Sequence, residues 1–431
     1  MFKFREVDYD KYKNDESREA YYGLPSEVKY CKKCVISNQR PNSTQEYKNK
    51  TGDKKTVINF DENGICDACN FAEIKHEKID WDERERMLVD LCDKHRRNDG
   101  RYDCIVPGSG GKDSVYTSHL LKYKYGMNPL TVTWAPHMYT SWGWDNFQNW
   151  IHSGLDNHLH TPNGKVHRLL TRLAMETLFH PFQPFFFGQK SLAPKLADLF
   201  DIPLIFYGEN EAEYGNKKES ANSPLQENKY FALSNDDLYL SGVSMGELQE
   251  KYKITKNELL PYLPIDQNIV QEKNIEVHYF GYYKKWHPQS CYYYSVENAN
   301  FVACPERNPG TYSKYASLDD KIDDYHFYTT FIKFGIGRCT HDASQEVRSR
   351  DITRDEAVSL VRRYDGEYPE RFKKDIHQYL SLDKKDFGNI TDLFESPEFT
   401  DKYFKNLVDY HRSPHIWRLK ENDNWELRQS L

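Results

Sequence analysis

The sequence predicts an α/β protein in which helices cover both faces of a mostly parallel sheet. Between residues 81 and 215, short apolar runs typical of strands alternate with longer segments of helical periodicity. A glycine-rich loop follows the first of these strands, and two CxxC pairs precede the alternation. We therefore expect an N-terminal arm with a cysteine segment, an α/β core, an irregular Tyr-rich insertion, and a mainly helical region with a charged tail. Their predicted boundaries are 1–80, 81–215, 216–309 and 310–431.

The composition is that of a folded protein with a large core. Of its 431 residues 38% are hydrophobic and 15% aromatic, which excludes a disordered chain. The net charge of −7 argues against a protein that coats nucleic acid, so we expect no nucleic-acid partner. Because no apolar run resembles a secretion signal or a membrane helix, we expect a cytoplasmic protein without a membrane partner.

The core elements follow from the spacing of apolar residues. Leu88, Leu91 and Cys92 recur at helical spacing and predict a helix over 81–97. Another helix is expected between the glycine loop and Gly126, and two more at 166–177 and 191–200. Strands are predicted at 104–106, 130–134 and 203–207. Ligands of such sheets bind beyond the carboxyl ends of the strands, where the glycine loop falls.

Helix starts are also predicted outside this core. A helical segment is expected at 246–252 within the insertion. In the C-terminal region, the acidic residues of 318–320 and the capping signal of 352–356 both suit helix N-termini.

The loop that follows the first strand has the features that phosphate binding requires. Glycines without Cβ atoms let backbone N–H groups point at one place, and the next helix turns its positive end towards it. Side chains add hydroxyl donors, a cation and a carboxylate that can hold Mg²⁺. The predicted phosphate-binding residues are Gly108, Ser109, Gly110, Gly111, Lys112, Asp113 and Ser114.

The hexad SGGKDS at 109–114 resembles the PP-loop of the ATP pyrophosphatases, which have the adenine nucleotide alpha hydrolase-like fold. It lacks the spacing of a Walker loop or a dinucleotide fingerprint. The resemblance implies an enzyme that grips the β,γ-pyrophosphate of ATP and transfers AMP to a substrate oxygen, with Lys112 and Asp113 as catalytic residues. It also implies that adenine meets the backbone of Thr133, at the end of the second strand. The alternative is a glycine-rich turn without function.

The third strand ends on the same edge of the sheet, at Gly208, Glu209 and Asn210. We expect Gly208 to lie in the ATP site. Glu209 and Asn210 are candidate catalytic residues that would contact ATP, Mg²⁺ or the substrate amide. The alternative for both is a cap of the strand end.

Four of the nine cysteines form two CxxC pairs, Cys31 with Cys34 and Cys66 with Cys69. Two such pairs can form a tetrahedral site for structural Zn²⁺. The polar segment around them lacks a hydrophobic core of its own, so it needs a bound metal for its stability. An iron–sulfur cluster and a redox pair are the alternatives. The other five cysteines show no ligand spacing.

Longer segments resemble the bacterial N-acetyl sugar amidotransferases of the WbpG or PseA type. The matching segments are the CxxC pairs, the glycine loop, 208–215, 310–315, 321–324, 331–338, 342–348 and 364–369. The resemblance implies conversion of an acetamido group of a bacterial surface-glycan sugar into an acetamidino group, through an adenylated amide that ammonia attacks. Two stretches depart from the expected family pattern, namely the aromatic, His-rich 134–164 and the tail beyond about 380.

Basic residues of the family-specific block are candidates for binding the substrate. Lys314, Lys333 and Arg338 would hold a nucleotide-linked sugar or its carboxylate, although a solvated helix face also explains each of them. Asp323 and Asp324 are either a second metal or hydroxyl site or an acidic helix start. The histidines of 137–160 lack ligand spacing and are expected to be ordinary polar side chains.

Ammonia requires a source, which in such enzymes is a glutaminase with an activated cysteine. The nearest pattern, around Cys339, lacks the second glycine of a nucleophile elbow. We therefore expect that a separate glutaminase partner supplies ammonia, and the family resemblance implies a HisH/HisF-like pair. A homo-oligomer is also compatible with the sequence. Two other functions stay open, a PP-loop tRNA thiolase and a non-catalytic zinc-bound scaffold for glycan assembly.

Overall fold

The centre of the molecule is a five-stranded parallel sheet. It is described by a computed structural model that covers residues 3–13, 18–42, 47, 50, 52–215, 223–232 and 238–431. The strands are β1 (Cys104–Pro107), β2 (Pro129–Trp134), β3 (Asp156–His160), β4 (Leu204–Tyr207), β5 (Tyr239–Leu240), β6 (Val243–Ser244), β7 (Glu276–Tyr279), β8 (Trp417–Leu419) and β9 (Trp425–Leu427). The sheet has the order β3–β2–β1–β4–β7, and the other four strands form two antiparallel pairs.

Helices cover both faces of this sheet and build the rest of the molecule. In the first half they are α1 (Asp10–Lys13), α2 (Asp67–Glu77), α3 (Trp81–His95), α4 (Lys112–Tyr123), α5 (Ser141–His152), α6 (Gly164–Leu178) and α7 (Gln183–Phe200). The second half adds α8 (Met245–Glu250), α9 (Lys256–Leu259), α10 (Gln267–Glu272), α11 (Phe280–Tyr283), α12 (Pro288–Ala299), α13 (Asp323–Phe334), α14 (Arg338–Ser349), α15 (Arg354–Tyr364), α16 (Lys373–Leu380), α17 (Lys384–Phe387) and α18 (Asp401–His411).

The predicted α/β class and the three predicted strands are confirmed as β1, β2 and β4. The sequence missed two more strands of the same sheet. The edge strand β3 reads DNHLH and is partly exposed, so it carries no apolar run. The other edge strand, β7, pairs with β4 although it lies in the segment expected to be irregular. The core sheet therefore extends into 216–309; the predicted boundaries themselves stay predictions.

Most predicted helices are confirmed, with two changes at their starts. Helix α7 begins eight residues before the predicted 191, at Gln183, because the aromatic run at 185–187 already packs as part of this helix. The start expected at 318–320 is wrong, since α13 begins only at Asp323. Asp320 instead lies in the loop before α13. Its carboxylate accepts the backbone N–H of His137 at 2.6 Å and that of Ile322 at 3.0 Å. The capping box of α15, Thr353 with Glu356, is as predicted.

The aromatic segment after β2 fastens the C-terminal region to the core. Tyr139 and Asp320 form a β-bridge, and the N–H of Thr140 donates to the carbonyl of Asp319 at 3.1 Å. At Gly143 a Cβ atom would come within 2.4 Å of the Asp319 backbone, so only glycine permits this approach. Part of the stretch 134–164, which departs from the expected family pattern, thus connects the core to the C-terminal region.

The predicted charged tail is a folded part of the molecule. Tyr403, Leu407 and Trp417 are buried, and the hairpin β8–β9 packs on the N-terminal arm. The Tyr12 hydroxyl donates to the carbonyl of Arg412 at 3.0 Å, and its ring meets Trp425 edge to face at 4.9 Å. Among the described residues, no helix combines the length and the apolarity that crossing a bilayer requires.

Candidate active site and metal centre

A cavity of about 1510 Å³ lies between the glycine loop and the C-terminal region. The core contributes Ser109 through Asp113 and Glu209 to its lining. The C-terminal region contributes residues of the loop before α13, of α13 itself and of α14. The structure thus brings the glycine loop together with the block that was expected to bind the substrate.

The glycine loop connects β1 to the N-terminus of α4, as predicted. Gly111 is the N-cap of α4 and offers no side-chain cap, so the N–H groups of the first turn are left for another acceptor. Gly110 has φ +85°, and a Cβ there would lie 2.8 Å from the carbonyl oxygen of Asn146. The close fit of α5 over the loop and the left-handed backbone both require glycine at this position.

Other loop residues hold the turn together. A Cβ at Gly108 would overlap the Ser114 side chain at 2.1 Å. The Ser114 hydroxyl donates to the carbonyl of Gly111 at 2.9 Å. Gly108 and Ser114 therefore shape the loop from behind, whereas Ser109 to Asp113 face the cavity.

A charged cluster surrounds the start of α4. Lys112 forms an ion pair with Asp113, whose Oδ1 accepts the Trp286 indole N–H at 2.8 Å. Glu209 accepts the Tyr214 hydroxyl at 2.9 Å. Burial and the charge of Asp113 raise the pKa of Glu209 to about 7. Although burial lowers it, the pKa of Lys112 is raised overall because both carboxylates act on the ammonium group.

This carboxylate pair has the chemistry of a divalent-cation site. The charge of Asp113 disfavours ionisation of the Glu209 carboxyl, and a bound cation would relieve that repulsion. Oxygen ligands are those that Mg²⁺ prefers.

Three residues predicted at strand ends do not reach the cavity. The Asn210 side chain accepts the N–H of Ala212 at 3.1 Å and caps a short 3-10 helix, Glu211–Tyr214, which is the capping alternative. Thr133 is buried in the sheet, where its hydroxyl accepts the Asn157 amide at 3.0 Å. Gly208 lies behind Asp113, and its carbonyl accepts the N–H of Gly281 at 2.8 Å.

The C-terminal wall reaches the glycine loop through the segment before α13. Burial raises the pKa of both Asp319 and Asp323, while the nearby Ser109 hydroxyl favours the ionised form of Asp319. Arg338 lines the cavity, donates to Ser317 at 2.7 Å and pairs with Asp342 at 3.1 Å.

The remaining acidic candidate and His137 have structural partners. Asp324 pairs with Arg371 at 2.8 Å, away from the lining residues. The Nδ1 atom of His137 lies 2.7 Å from the Asp320 carboxylate. As predicted, His137 is an ordinary polar histidine, here at the connection between the core and the C-terminal region.

The structure separates the two candidate lysines. Lys333 is buried, lines the cavity and donates to the carbonyl of Leu178 at 2.9 Å. Lys314 is exposed, donates to the carbonyl of Pro305 at 2.9 Å and lies outside the cavity. A substrate role for Lys314 therefore has no geometric basis here.

The four CxxC cysteines converge in a buried site. The Sγ atoms of Cys31 and Cys69 lie 3.8 Å apart, those of Cys34 and Cys66 lie 3.7 Å apart, and all four fall within 4.8 Å of one another. One tetrahedral ion with metal–sulfur bonds of about 2.3 Å needs sulfurs about 3.8 Å apart. A four-iron cluster binds each thiolate to a different iron and spreads the sulfurs further. The geometry therefore fits a single metal ion.

Sequence reasoning missed three residues of the site. Trp286 and Tyr214 hold the two carboxylates, and Asp319 lies near Ser109. Trp286 follows the missed strand β7, Tyr214 lies within the matching segment 208–215, and Asp319 falls where the sequence predicts a helix start. No spacing rule links any of them to the glycine loop.

Fold and site together define an α/β protein with a glycine loop of the phosphate-binding type. The loop lies at the edge of the sheet where the parallel strands have their carboxyl ends. Residues 309–431 match the family model of the LPS biosynthesis protein WbpG-like, C-terminal domain. This region is therefore similar to that domain, and the predicted resemblance is confirmed. The match includes the stretch beyond 380, so the expectation that the tail is extra to the family is wrong.

The chain is also similar to other known proteins. An uncharacterized protein of Methanocaldococcus jannaschii is 37% identical over 90 residues, which is 19% of this chain and 29% of that protein. The match thus spans less than a third of the length of this relative. The NH3-dependent NAD synthetase of Campylobacter jejuni gives a TM-score of 0.25 at 16% identity, over 32% of this chain and 59% of that one. The U34-tRNA thiolase NcsA of Methanococcus maripaludis, with its [4Fe-4S] cluster, gives 0.30 at 11% identity, over 78% and 89%.

Proposed function

We propose that this chain is an ATP-dependent amidotransferase of bacterial surface-glycan synthesis. It converts an acetamido group of a sugar into an acetamidino group and releases AMP and pyrophosphate. The observation that carries the proposal is the shared cavity, in which the glycine loop faces the WbpG-like domain. ATP held by the loop and a sugar held by that domain would meet there.

The reaction has two steps. The amide oxygen of the sugar attacks the α-phosphorus of ATP, a P–O bond forms, and the bond to pyrophosphate breaks. Ammonia then attacks the amide carbon, the C–O bond to AMP breaks, and the nitrogen loses a proton. The first step needs charge stabilisation on the phosphates, and the second needs a water-poor site, because water would hydrolyse the adenylate.

The residues at the loop have defined roles in this reaction. Backbone N–H groups at the start of α4 and the Lys112 ammonium bind the pyrophosphate oxygens. Asp113 and Glu209 hold Mg²⁺, which supplies charge neutralisation to the phosphates when bound. Trp286 and Tyr214 keep these two carboxylates in place through their hydrogen bonds.

The cysteine site is proposed to hold one structural Zn²⁺. The sulfur spacing supports one tetrahedral ion rather than a cluster. The tRNA thiolase alternative drew on CxxC cysteines that carry a cluster or redox chemistry, so this spacing gives it no support.

Nitrogen is proposed to come as ammonia from a separate HisH/HisF-like glutaminase. All nine cysteines lie in the described residues and all are buried. Burial raises the pKa of the Cys339 thiol, so the residue nearest to an elbow pattern is neither accessible nor ionised. A glutaminase nucleophile must be both.

The proposal is tested with the purified chain, ATP, ammonium and a panel of acetamido sugars, free and nucleotide-linked. We expect AMP and pyrophosphate, and a product in which oxygen is replaced by NH by mass spectrometry. Asp113→Ala should abolish AMP formation, whereas Asp90→Ala, an exposed carboxylate on α3, should not. Wild-type AMP formation by the Asp113→Ala protein would show that the loop assignment is wrong.

The nitrogen source is tested with the same assay. The chain alone should use ammonium and not glutamine, and an added glutaminase partner should restore glutamine use. Glutamine-dependent turnover by the isolated chain, lost in Cys339→Ala, would overturn the partner proposal.

A further inference from the structure

The two edges of the central sheet differ in what covers them. At one edge the segment 224–226 pairs with β7, and the N–H of Gln226 donates to the carbonyl of Val277 at 2.8 Å. At the other edge β3 pairs with β2, and no strand or bridge of the described residues lies along its outer side. The strand contains neither lysine nor proline, which commonly block such an edge. Its outer backbone groups are therefore open to pairing with a further strand.

One hydrogen bond identifies the backbone groups that face outwards. The carbonyl of His160 accepts the N–H of Ala135 at 2.9 Å, so His160 points its backbone groups at β2. These groups point alternately to the two sides of a strand. Asn157 and Leu159, which lie three residues and one residue before His160, therefore point their N–H and C=O groups away from the sheet.

A second copy of β3 fits this outer side in one antiparallel register. In an antiparallel pair, two residues directly opposite each other exchange both of their backbone hydrogen bonds. A two-fold axis at His158 sets Asn157 opposite Leu159 of the second copy, and the reverse. All outward N–H groups of both strands then find carbonyls. An axis at Asn157 or at Leu159 would pair one outward residue of each copy and leave the other unpaired.

The charged side chains of this register complement each other. Asp156 is exposed, and its carboxylate accepts the Tyr102 hydroxyl at 3.0 Å, which leaves lone pairs for a second donor. In the register centred on His158, Asp156 lies opposite His160 of the second copy. The charge of Lys195 acts on the imidazole of His160, so the carboxylate would enter a region of positive charge. Opposite charges at facing positions stabilise an antiparallel pair.

Exposed apolar side chains flank the strand at the position of this axis. At the C-terminus of α7, Leu199 is 70% exposed and Phe200 is 39% exposed. The Phe200 ring lies 6.1 Å from the ring of His158. Because His158 would lie on the two-fold axis, the Phe200 rings of the two copies would approach each other and bury apolar surface that now faces water.

We propose that β3 is a dimerisation edge, at which two copies of this chain join antiparallel around His158 into one continuous sheet. The partner is a second copy because the strand complements itself, with Asp156 and His160 at equal distances from the same centre. The proposal specifies the surface and the register of a homo-oligomer, which the sequence only allows. It does not rest on the proposed function, since β3 contributes no residue to the lining of the large cavity.

Cysteine crosslinking of the full chain tests the register. Facing residues of a non-hydrogen-bonded antiparallel pair have Cα atoms about 4.5 Å apart, which is within the range of a disulfide. His158→Cys should therefore link two chains under mild oxidation, and all nine native cysteines are buried. Thr161→Cys, exposed just beyond the strand, is the control. Its two copies would lie about 20 Å apart, on opposite sides of the axis.

Sedimentation equilibrium tests the dimer itself. The wild-type protein should have twice the mass of one chain. His158→Lys places two like charges opposite each other, so the Kd of the dimer should rise about tenfold, whereas Gln249→Lys, on the exposed side of α8, should not change it. A single-chain mass at every concentration overturns the proposal. So does a dimer that His158→Lys leaves intact, or one that crosslinks through Thr161→Cys and not through His158→Cys.

Discussion

Single residues show that neighbours with similar sequence signals have different roles. Glu209 and Asn210 both follow the end of β4, yet Glu209 lines the cavity while Asn210 caps the next turn. Lys333 and Lys314 belong to the same family-specific block, yet only Lys333 lies in the cavity. The sequence could place each pair on the right segment. It could not decide which way each side chain points, since that depends on what packs against it.

The pKa of Glu209 gives a testable pH dependence. Its pKa is raised to about 7, and its proposed role in holding Mg²⁺ requires the ionised form, so kcat/KM for ATP should fall as the pH drops through about 7. Tyr214→Phe removes a hydrogen bond that favours the ionised form, so the pKa rises and the falling limb moves to higher pH. Tyr293→Phe, an exposed ring on α12, should leave the profile unchanged. An unchanged profile in Tyr214→Phe would contradict the role of Glu209.

At the scale of elements, the segment that carries the four CxxC cysteines is held to the candidate active site by buried polar contacts. Helix α2 carries both Cys69 and Lys75. The Lys75 ammonium binds Glu213 at 2.8 Å and the carbonyl of Trp286 at 3.2 Å. Glu213 belongs to the short helix that Asn210 caps. The contact thus joins the cysteine segment to the two residues that hold Asp113 and Glu209.

Breaking this ion pair should destabilise the protein strongly. The Lys75 and Glu213 side chains are only 2% and 4% exposed, so Lys75→Met leaves a buried charge and should cost about 3–5 kcal/mol of unfolding free energy. Replacing both partners, Lys75→Met with Glu213→Gln, should cost less than the sum of the single changes. The exposed pair of Lys251 and Glu247 is the control, and Lys251→Met should change stability by less than about 0.5 kcal/mol. Additive effects in urea unfolding would refute the coupling.

At the scale of the whole molecule, the cysteine site links distant parts of the chain. The carbonyl of Cys31 accepts the Arg354 guanidinium at 3.4 Å, at the start of α15. Arg348 of α14 donates to the carbonyl of Glu213 at 3.0 Å. The cysteine segment therefore packs against the WbpG-like domain as well as against the core.

Removing the metal should destabilise the contact between the cysteine segment and the WbpG-like domain before it destabilises the central sheet. Four thiolates that lose their ion repel one another or must be protonated, and structural Zn²⁺ contributes about 10 kcal/mol or more to such segments. After chelation, hydrogen exchange should accelerate at 31–42, 57–77 and 338–354, while β1 and β2 stay protected. One Zn²⁺ per chain should be released. Iron in elemental analysis, or unchanged exchange after metal loss, would disprove the structural zinc site.

The sequence by itself determined the parts of this protein whose signals are local. A glycine loop between a strand and a helix, two CxxC pairs and three apolar strands need no knowledge of distant contacts, and all were found in place. Only the tertiary structure decided which strands form the sheet edges, that the tail is folded, and that the loop before α13 reaches Ser109. These features depend on contacts between residues far apart in the chain. Short polar strands and loop carboxylates leave no periodic pattern from which such contacts could be read.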